Sequence, residues 1–188
     1  METICLVHII NNSWIKYMHQ YKHRISICIP FHWMKNWQFF LTRCLESIEQ
    51  QTFTDYEIIL AKVGEMPVTS NRVIGAAQGE LIKILYMDDF FADKNSLQTI
   101  VNNFDKDDHW MATGCLHARI GEEPHSPHLP TYSEDIHRGN NTIGSPSVIV
   151  MRNDGHMLFD EKLSWLLDCD LYKRLHAKYG PPKILPHL

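Results

Sequence analysis

From residue 25 onward the chain alternates short apolar runs with helical stripes. Ile25-Ser26-Ile27-Cys28-Ile29 is a β-prone run stopped by Pro30, and its near-continuous apolar character predicts a strand covered on both faces. Trp37, Phe40, Leu41, Cys44, Leu45 and Ile48 then recur at three- and four-residue steps, predicting a helix from Asn36 to near Gln51. Lys35, Arg43, Glu46 and Glu49 fall on its opposite face. A second strand is expected at 56–60, a short helix capped by Ser70 at 70–77, and a third strand at 81–86 that runs into Asp88-Asp89. Leu97, Ile100, Val101 and Phe104 mark another amphipathic helix, for which Asp93 or Asn95 supplies the cap. Strands follow at 110–116 and 147–151, and a helix at 163–178 with Leu167, Leu171 and Leu175 facing inward. Strand, helix, strand order demands parallel pairing with right-handed crossovers, so the fold class is α/β.

At 188 residues with 44% hydrophobic content, residues 25–188 can build a single compact domain. A net charge of -4 argues against a nucleic-acid partner, whose binding needs a concentrated basic surface. Five scattered cysteines without a C-x-x-C pair read as reduced thiols of a cytoplasmic protein. Residues 1–24 form an N-terminal extension of uncertain structure, read as a peripheral helix or as sequence upstream of a start at Met18. The apolar stretch at 4–10, interrupted by His8 and lacking a basic leader, is expected to be neither signal peptide nor membrane span.

In an open parallel sheet ligands bind beyond the carboxyl ends of the strands, which draws attention to Asp88-Asp89. Position alone leaves two roles open: oxygen ligation of a divalent cation that bridges a diphosphate, or capping of the following helix. The proline-, glycine- and histidine-rich stretch 121–141 is too long for a plain connector and is expected to be a surface loop beside the site. His125 and His128 flank Ser126-Pro127 without zinc-site spacing and read as solvated loop residues; His137 and His187 are weaker candidates for the acceptor side and for a metal.

Taken in order, several segments resemble family 2 glycosyltransferases. These are the strand ending at Pro30, Leu45-Glu46-Ser47-Ile48-Glu49-Gln50-Gln51-Thr52-Phe53, Tyr56-Glu57-Ile58-Ile59-Leu60, Asn71 through Gly79-Glu80, Tyr86-Met87-Asp88-Asp89, Gly144-Ser145-Pro146-Ser147, and Asp168-Cys169-Asp170-Leu171 with Arg174-Leu175. The resemblance covers roughly residues 25 to 180. It implies the GT-A fold, a Rossmann-like, mixed but mostly parallel sheet with helices on both faces. It further implies inverting transfer of a sugar from a nucleoside diphosphate sugar to a saccharide, lipid or protein acceptor, dependent on Mn2+ or Mg2+.

Carried over by position, Asp88 matches the last aspartate of the family's metal motif, Asp89 adds a second carboxylate, and Tyr86 replaces the first aspartate. Asp168 matches the general base, while Asp170, two residues along the same helix, is expected to be structural. Pro30, Phe31 and His32 border the expected nucleotide pocket, where Phe31 or His32 stacks on a base or simply packs, and Asn71 belongs to the same donor side. Ala61 and Lys62 stand where the family carries an acidic pair. Two rivals remain: a non-catalytic nucleotide-sugar binding module, favoured by Tyr86 and the missing acidic pair, and a sugar nucleotidyltransferase. The latter needs a glycine-rich loop that Pro30-Phe31-His32-Trp33-Met34 does not provide. A homo-oligomer, with a partner copy completing the acceptor side, stays open.

Overall fold

Strand β2 (Ile25–Pro30) is buried along its whole length, as its apolar run predicts. Ile25, Ile27 and Ile29 enter one core while Cys28 enters the other, because successive side chains of a strand leave on opposite faces. The structure, a computed structural model, describes residues 7–9, 23–62, 64–155 and 157–186.

Parallel strands flank β2 on both sides. β3 (Tyr56–Ala61) pairs with one edge in the register Cys28↔Ile59, and β4 (Leu81–Ile84) with the other in the register Ile27↔Lys83. Beyond β3 lies β1 (Val7–Ile9), also parallel. Part of the expected extension therefore joins the sheet as a strand rather than a peripheral helix; the rest of residues 1–22 lies outside the described residues. Beyond β4 come β8 (Ile149–Arg152) and β5 (Trp110–Thr113), joined to it and to each other antiparallel, and then β9 (Lys183–Leu185), parallel to β5. The order β1-β3-β2-β4-β8-β5-β9 is a mixed, mostly parallel sheet whose winding reverses at β2.

Helices α1 (Trp37–Glu49) and α3 (Ser96–Asn103) cover one face through Cys44, Ile48, Leu97 and Ile100. Helices α2 (Met66–Ala76) and α4 (Leu167–Tyr179) cover the other through Val73, Ile74, Leu171 and Leu175. Helix α2 starts four residues before the expected Ser70, and the overlooked signal is Pro67: proline suits a first helical turn, where its missing N–H forfeits no bond. Asn95 takes the N-cap position of α3, as one of the two expected candidates, but its side chain makes no capping bond. Gln51, 6% exposed, accepts from the Leu97 N–H at 2.9 Å and donates to the carbonyls of Ser47 and Asp93, stitching the end of α1 to the start of α3.

The strand expected at 110–116 breaks at Gly114 into β5 and β6 (Cys115–His117), and β6 pairs antiparallel with β7 (His125–His128). A Cβ on Gly114 would lie 2.6 Å from the Pro186 carbonyl oxygen, so only glycine lets the chain segments pass there. The 121–141 stretch is thus partly ordered: it holds β7 and a 3-10 turn, Glu134–Arg138, which packs on α4. Helix α4 begins at Leu167, four residues later than expected, after Leu166 takes a left-handed conformation (φ 59°).

Lys83 breaks the apolar run of β4. It is only 1% exposed, and its ammonium donates to the Ser147 carbonyl. Burial drives its pKa from an ordinary 10.5 down to about 8, with the Asp89 charge opposing the shift. An unfolded chain holds this proton up to about pH 10.5, whereas the folded chain releases it near pH 8, so stability rises with pH between those values and the penalty is full below pH 8. Lys83→Met removes this titration. Urea denaturation at stepped pH should show the parent gaining stability relative to Lys83→Met from about pH 8 to 10.5, by on the order of 3 kcal/mol. A constant difference would mean that the amine keeps its solution proton affinity.

Candidate active site

The carboxyl end of β4 and the segment entering β8 are fastened side by side. Ser147 accepts from the Lys83 ammonium on its carbonyl and from the Tyr86 N–H on its hydroxyl, the latter at 2.8 Å. The chain then turns, Asp89 N–H donating to the Tyr86 carbonyl at 2.9 Å, and this turn presents Asp88 and Asp89. Asp89 is partly buried and lies 3.4 Å from the Ser145 hydroxyl that donates to it. Burial raises its carboxyl pKa against the stabilising Ser147 hydroxyl, with the Asp88 charge adding to the rise and Lys83 opposing it. Neither acid caps α3. The Asp88 carboxylate is exposed and makes no hydrogen bond or ion pair among the described residues, while Arg43 holds its backbone carbonyl at 2.8 Å. Arg43 was expected on the solvent face of α1; it lies instead over the Phe90 ring, 4.3 Å from the centroid.

Two cavities open here. The first, about 430 Å³, is lined by Lys83, Asp88, Asp89, Ser145, Ser147 and the start of the β6–β7 hairpin. The second, about 320 Å³, is lined by Tyr86, Asp168 and Asn141 among apolar walls from Met66, Leu166 and Leu167. At its edge the indole of Trp165 is 80% exposed, a feature that sequence periodicity did not single out.

Asp168 lies in the first turn of α4. Its Oδ1 accepts from the Cys169 N–H at 2.8 Å and its Oδ2 from the Asn141 carboxamide at 2.7 Å. Asp170 turns away into an ion pair with Arg174, which donates to its Oδ2 at 2.9 and 2.7 Å. Tyr86 sits within the field of Asp168, Asp88 and Asp89; burial first, and then these charges, push its pKa up to about 12. It therefore stays neutral, unlike the aspartate expected at that point of the motif. The buried Tyr86 and Ser70 hydroxyls make no hydrogen bond among the described residues, although Ser70 is near enough to oppose part of the rise in the Tyr86 pKa.

Of the residues singled out in the sequence, Tyr86, Asp88, Asp89 and Asp168 thus come together. Pro30, Phe31 and His32 stand at the neighbouring end of β2 and line neither cavity. There Phe31 joins Trp33 and Trp37 in a ring cluster, with the Lys62 ammonium 4.2 Å over the Trp33 ring. Asn71 is engaged elsewhere: it donates to the Phe159 carbonyl and to Glu161 and accepts from the Phe159 N–H at 2.8 Å. His128 bonds to the Ile143 carbonyl, and His137 to the Glu134 carbonyl and Lys173. His187 lies outside the described residues. No group of three His, Cys, Asp or Glu residues with metal-binding geometry occurs among the described residues.

With this geometry in view, the comparisons are specific about fold and silent about family. No protein-family model matches the sequence, and no curated protein matches it. Among solved structures, crystal structures of S. aureus TarS are similar. Its 1-349 fragment in complex with UDP superposes with a TM-score of 0.59 at 16% identity, over 79% of this chain and 53% of that one. The same fragment with UDP-GlcNAc gives 0.56 at 16% identity, over 78% and 52%. TarS itself gives 0.63 at 14% identity, over 87% and 36%. This chain therefore spans about half the length of the TarS fragment. At such identity the likeness shows the fold, a glycosyltransferase fold of the GT-A class.

The Asn71 clamp predicts a measurable role in stability. Asn71→Ala leaves the Phe159 backbone groups without their partner and should lower stability by about 1–3 kcal/mol in urea denaturation. An unchanged midpoint and slope would show the clamp to be inconsequential.

Proposed function

We propose that the chain transfers a sugar from a nucleoside diphosphate sugar to an acceptor hydroxyl, with inversion at the anomeric carbon. The observation that carries this reading is the placement of an unengaged carboxylate, Asp88, and a cavity-lining carboxylate, Asp168, on either side of Tyr86 at the carboxyl end of the sheet. The fold shared with TarS, whose structures include complexes with UDP and UDP-GlcNAc, supports a nucleotide-sugar donor.

Asp168 acts as the general base. An acceptor hydroxyl is a poor nucleophile until its proton can leave as the bond to the anomeric carbon forms. Each Asp168 oxygen accepts one hydrogen bond and keeps a further lone pair, so the carboxylate can take that proton without breaking its own anchors. Tyr86 contributes a neutral, unpartnered hydroxyl that lines the same cavity and can be satisfied by a sugar or phosphate oxygen.

The donor set also fits a divalent ion of the Mg2+ or Mn2+ type. One exposed carboxylate with a second beside it is the sparse protein contribution such ions need when a diphosphate fills the remaining positions. Asp88 would hold the ion with Asp89 beside it, and its chemistry there is to neutralise the departing diphosphate. At the end of β2, the edge-on ring cluster of Phe31, Trp33 and Trp37 with the Lys62 ammonium over Trp33 offers an aromatic and cationic edge for the base, with His32 at its border and without the acidic pair of the resembled family. The acceptor is a saccharide, lipid or protein, and the cytoplasm is the proposed site of action.

Calorimetry should find that nucleoside diphosphate binding requires the divalent ion and is lost or much weakened in Asp88→Ala; affinity unchanged by that substitution would falsify the ligand role. A transfer assay separates enzyme from binding module. Asp168→Asn keeps the shape of the side chain but accepts no proton, so transfer should fall by about 10²- to 10⁴-fold with donor affinity nearly unchanged. Asp170→Asn should be mild. An active Asp168→Asn beside a folded but inactive Asp170→Asn would move the base assignment. Nucleotide-sugar binding by a parent that transfers nothing would favour the binding module, to which the neutral Tyr86 already gives some support.

A further inference from the structure

Asn141 is the one side chain that lines both described cavities. Its Oδ1 accepts from the N–H groups of Ile143 and Gly144 at 3.1 and 3.0 Å, a local turn that asparagine commonly makes. Its Nδ2 donates to the Gly144 carbonyl at 2.9 Å and across to Asp168 Oδ2 at 2.7 Å. The turn needs only the oxygen contacts; the bond to α4 is additional, and it is the shorter of the two donated bonds.

The surroundings of Asp168 make that donor important. Tyr86 reaches it from the end of β4, and Cys169 and Tyr172 from α4 itself. All three are neutral near pH 7: burial raises Tyr86 to about 12, Cys169 to about 11, and Tyr172 well above 10. Nearby charges are paired elsewhere. Arg174 serves Asp170, and on the 3-10 turn packed against α4, Arg138 pairs with Asp135 while His137 meets Lys173. Among the described residues no ion pair involves Asp168; two N–H donors meet its oxygens, the Cys169 backbone and the Asn141 carboxamide, and the Cys169 thiol lies close to it as well. A charge-assisted hydrogen bond donated to a carboxylate is short and directional, so it fixes the orientation of the group.

We propose that Asn141 is the positioning residue for Asp168, holding the carboxylate turned into the second cavity and coupling it to the turn that closes the 121–141 segment. This rests on the reading of Asp168 as general base.

Asn141→Asp is the discriminating substitution. It preserves an oxygen for the Ile143 and Gly144 N–H groups but replaces the donor aimed at Asp168 with a second carboxylate. Two carboxylates in hydrogen-bond contact retain a shared proton to higher pH. The acid limb of the kcat/KM profile for sugar transfer should therefore move upward by roughly one pH unit or more, with transfer near pH 7 reduced about 10- to 100-fold and recovering in alkali. Because Asn141 also lines the first cavity, UDP affinity is measured in parallel, and it is the pH limb of transfer, not the affinity, that reads the contact with Asp168. Should Asn141→Asp fail to fold, Asn141→Ser keeps a turn-forming oxygen without a new charge, cannot reach Asp168, and should shift the limb in the same direction by less. A folded, active Asn141→Asp with the parent's pH profile overturns the inference alone. Absence of any Asp168-dependent transfer by the parent overturns the base assignment, and the role of Asn141 with it.

Discussion

Ser147 fastens the whole site. Its carbonyl receives the buried Lys83 ammonium and its hydroxyl receives the Tyr86 N–H, so the end of a parallel strand and the approach to an antiparallel one are locked in fixed register. Everything chemical hangs from that seam. On the β4 side it fixes the turn that presents Asp88 and Asp89; on the β8 side it fixes Gly144 and Ser145, and through Asn141 it reaches Asp168 on α4. Carboxylates far apart in sequence are held around one tyrosine, and among the described residues none of Asp88, Asp89 and Asp168 makes an ion pair.

The electrostatic consequence is a graded site. Deep in the sheet an ammonium sits where burial weakens its hold on a proton, above it Asp89 is partly buried and more easily protonated than a free carboxyl, and at the surface Asp88 is open to solvent. In the function proposed above, the exposed Asp88 at the mouth would hold the cation that a diphosphate shares. Tyr86 is the clearest departure from the resembled motif. Its neutrality removes one ligand charge, so any ion at Asp88 depends more on the diphosphate than on the protein.

Much of the fold was legible because period and burial agreed: the isoleucines of β2, the stripe of α1 and the parallel order follow from spacing alone. What was hidden depended on contacts distant in sequence. Asn95 stands at the N-cap of α3, but the side-chain acceptor for its first turn is Gln51, more than forty residues away; Gly114 breaks a strand because Pro186 passes beside it; Arg43 leaves the solvent face to cover Phe90. At the site, the carboxylates at a strand end and a helix start were readable, since those positions follow from the pattern. Asn141 was not, because nothing in its neighbourhood distinguishes it from a loop asparagine until α4 packs against it.

The central claim is that this strand-end site takes a nucleoside diphosphate together with a divalent cation. A thermal-shift panel of UDP, GDP and ADP, each with and without Mn2+, tests it most directly, because a ligand that binds only the folded state raises its melting temperature. At about a hundredfold excess over Kd, one nucleotide with Mn2+ should raise Tm by roughly 5–10 °C, with little effect from either component alone. A flat response to all three nucleotides, with and without the metal, would contradict the account.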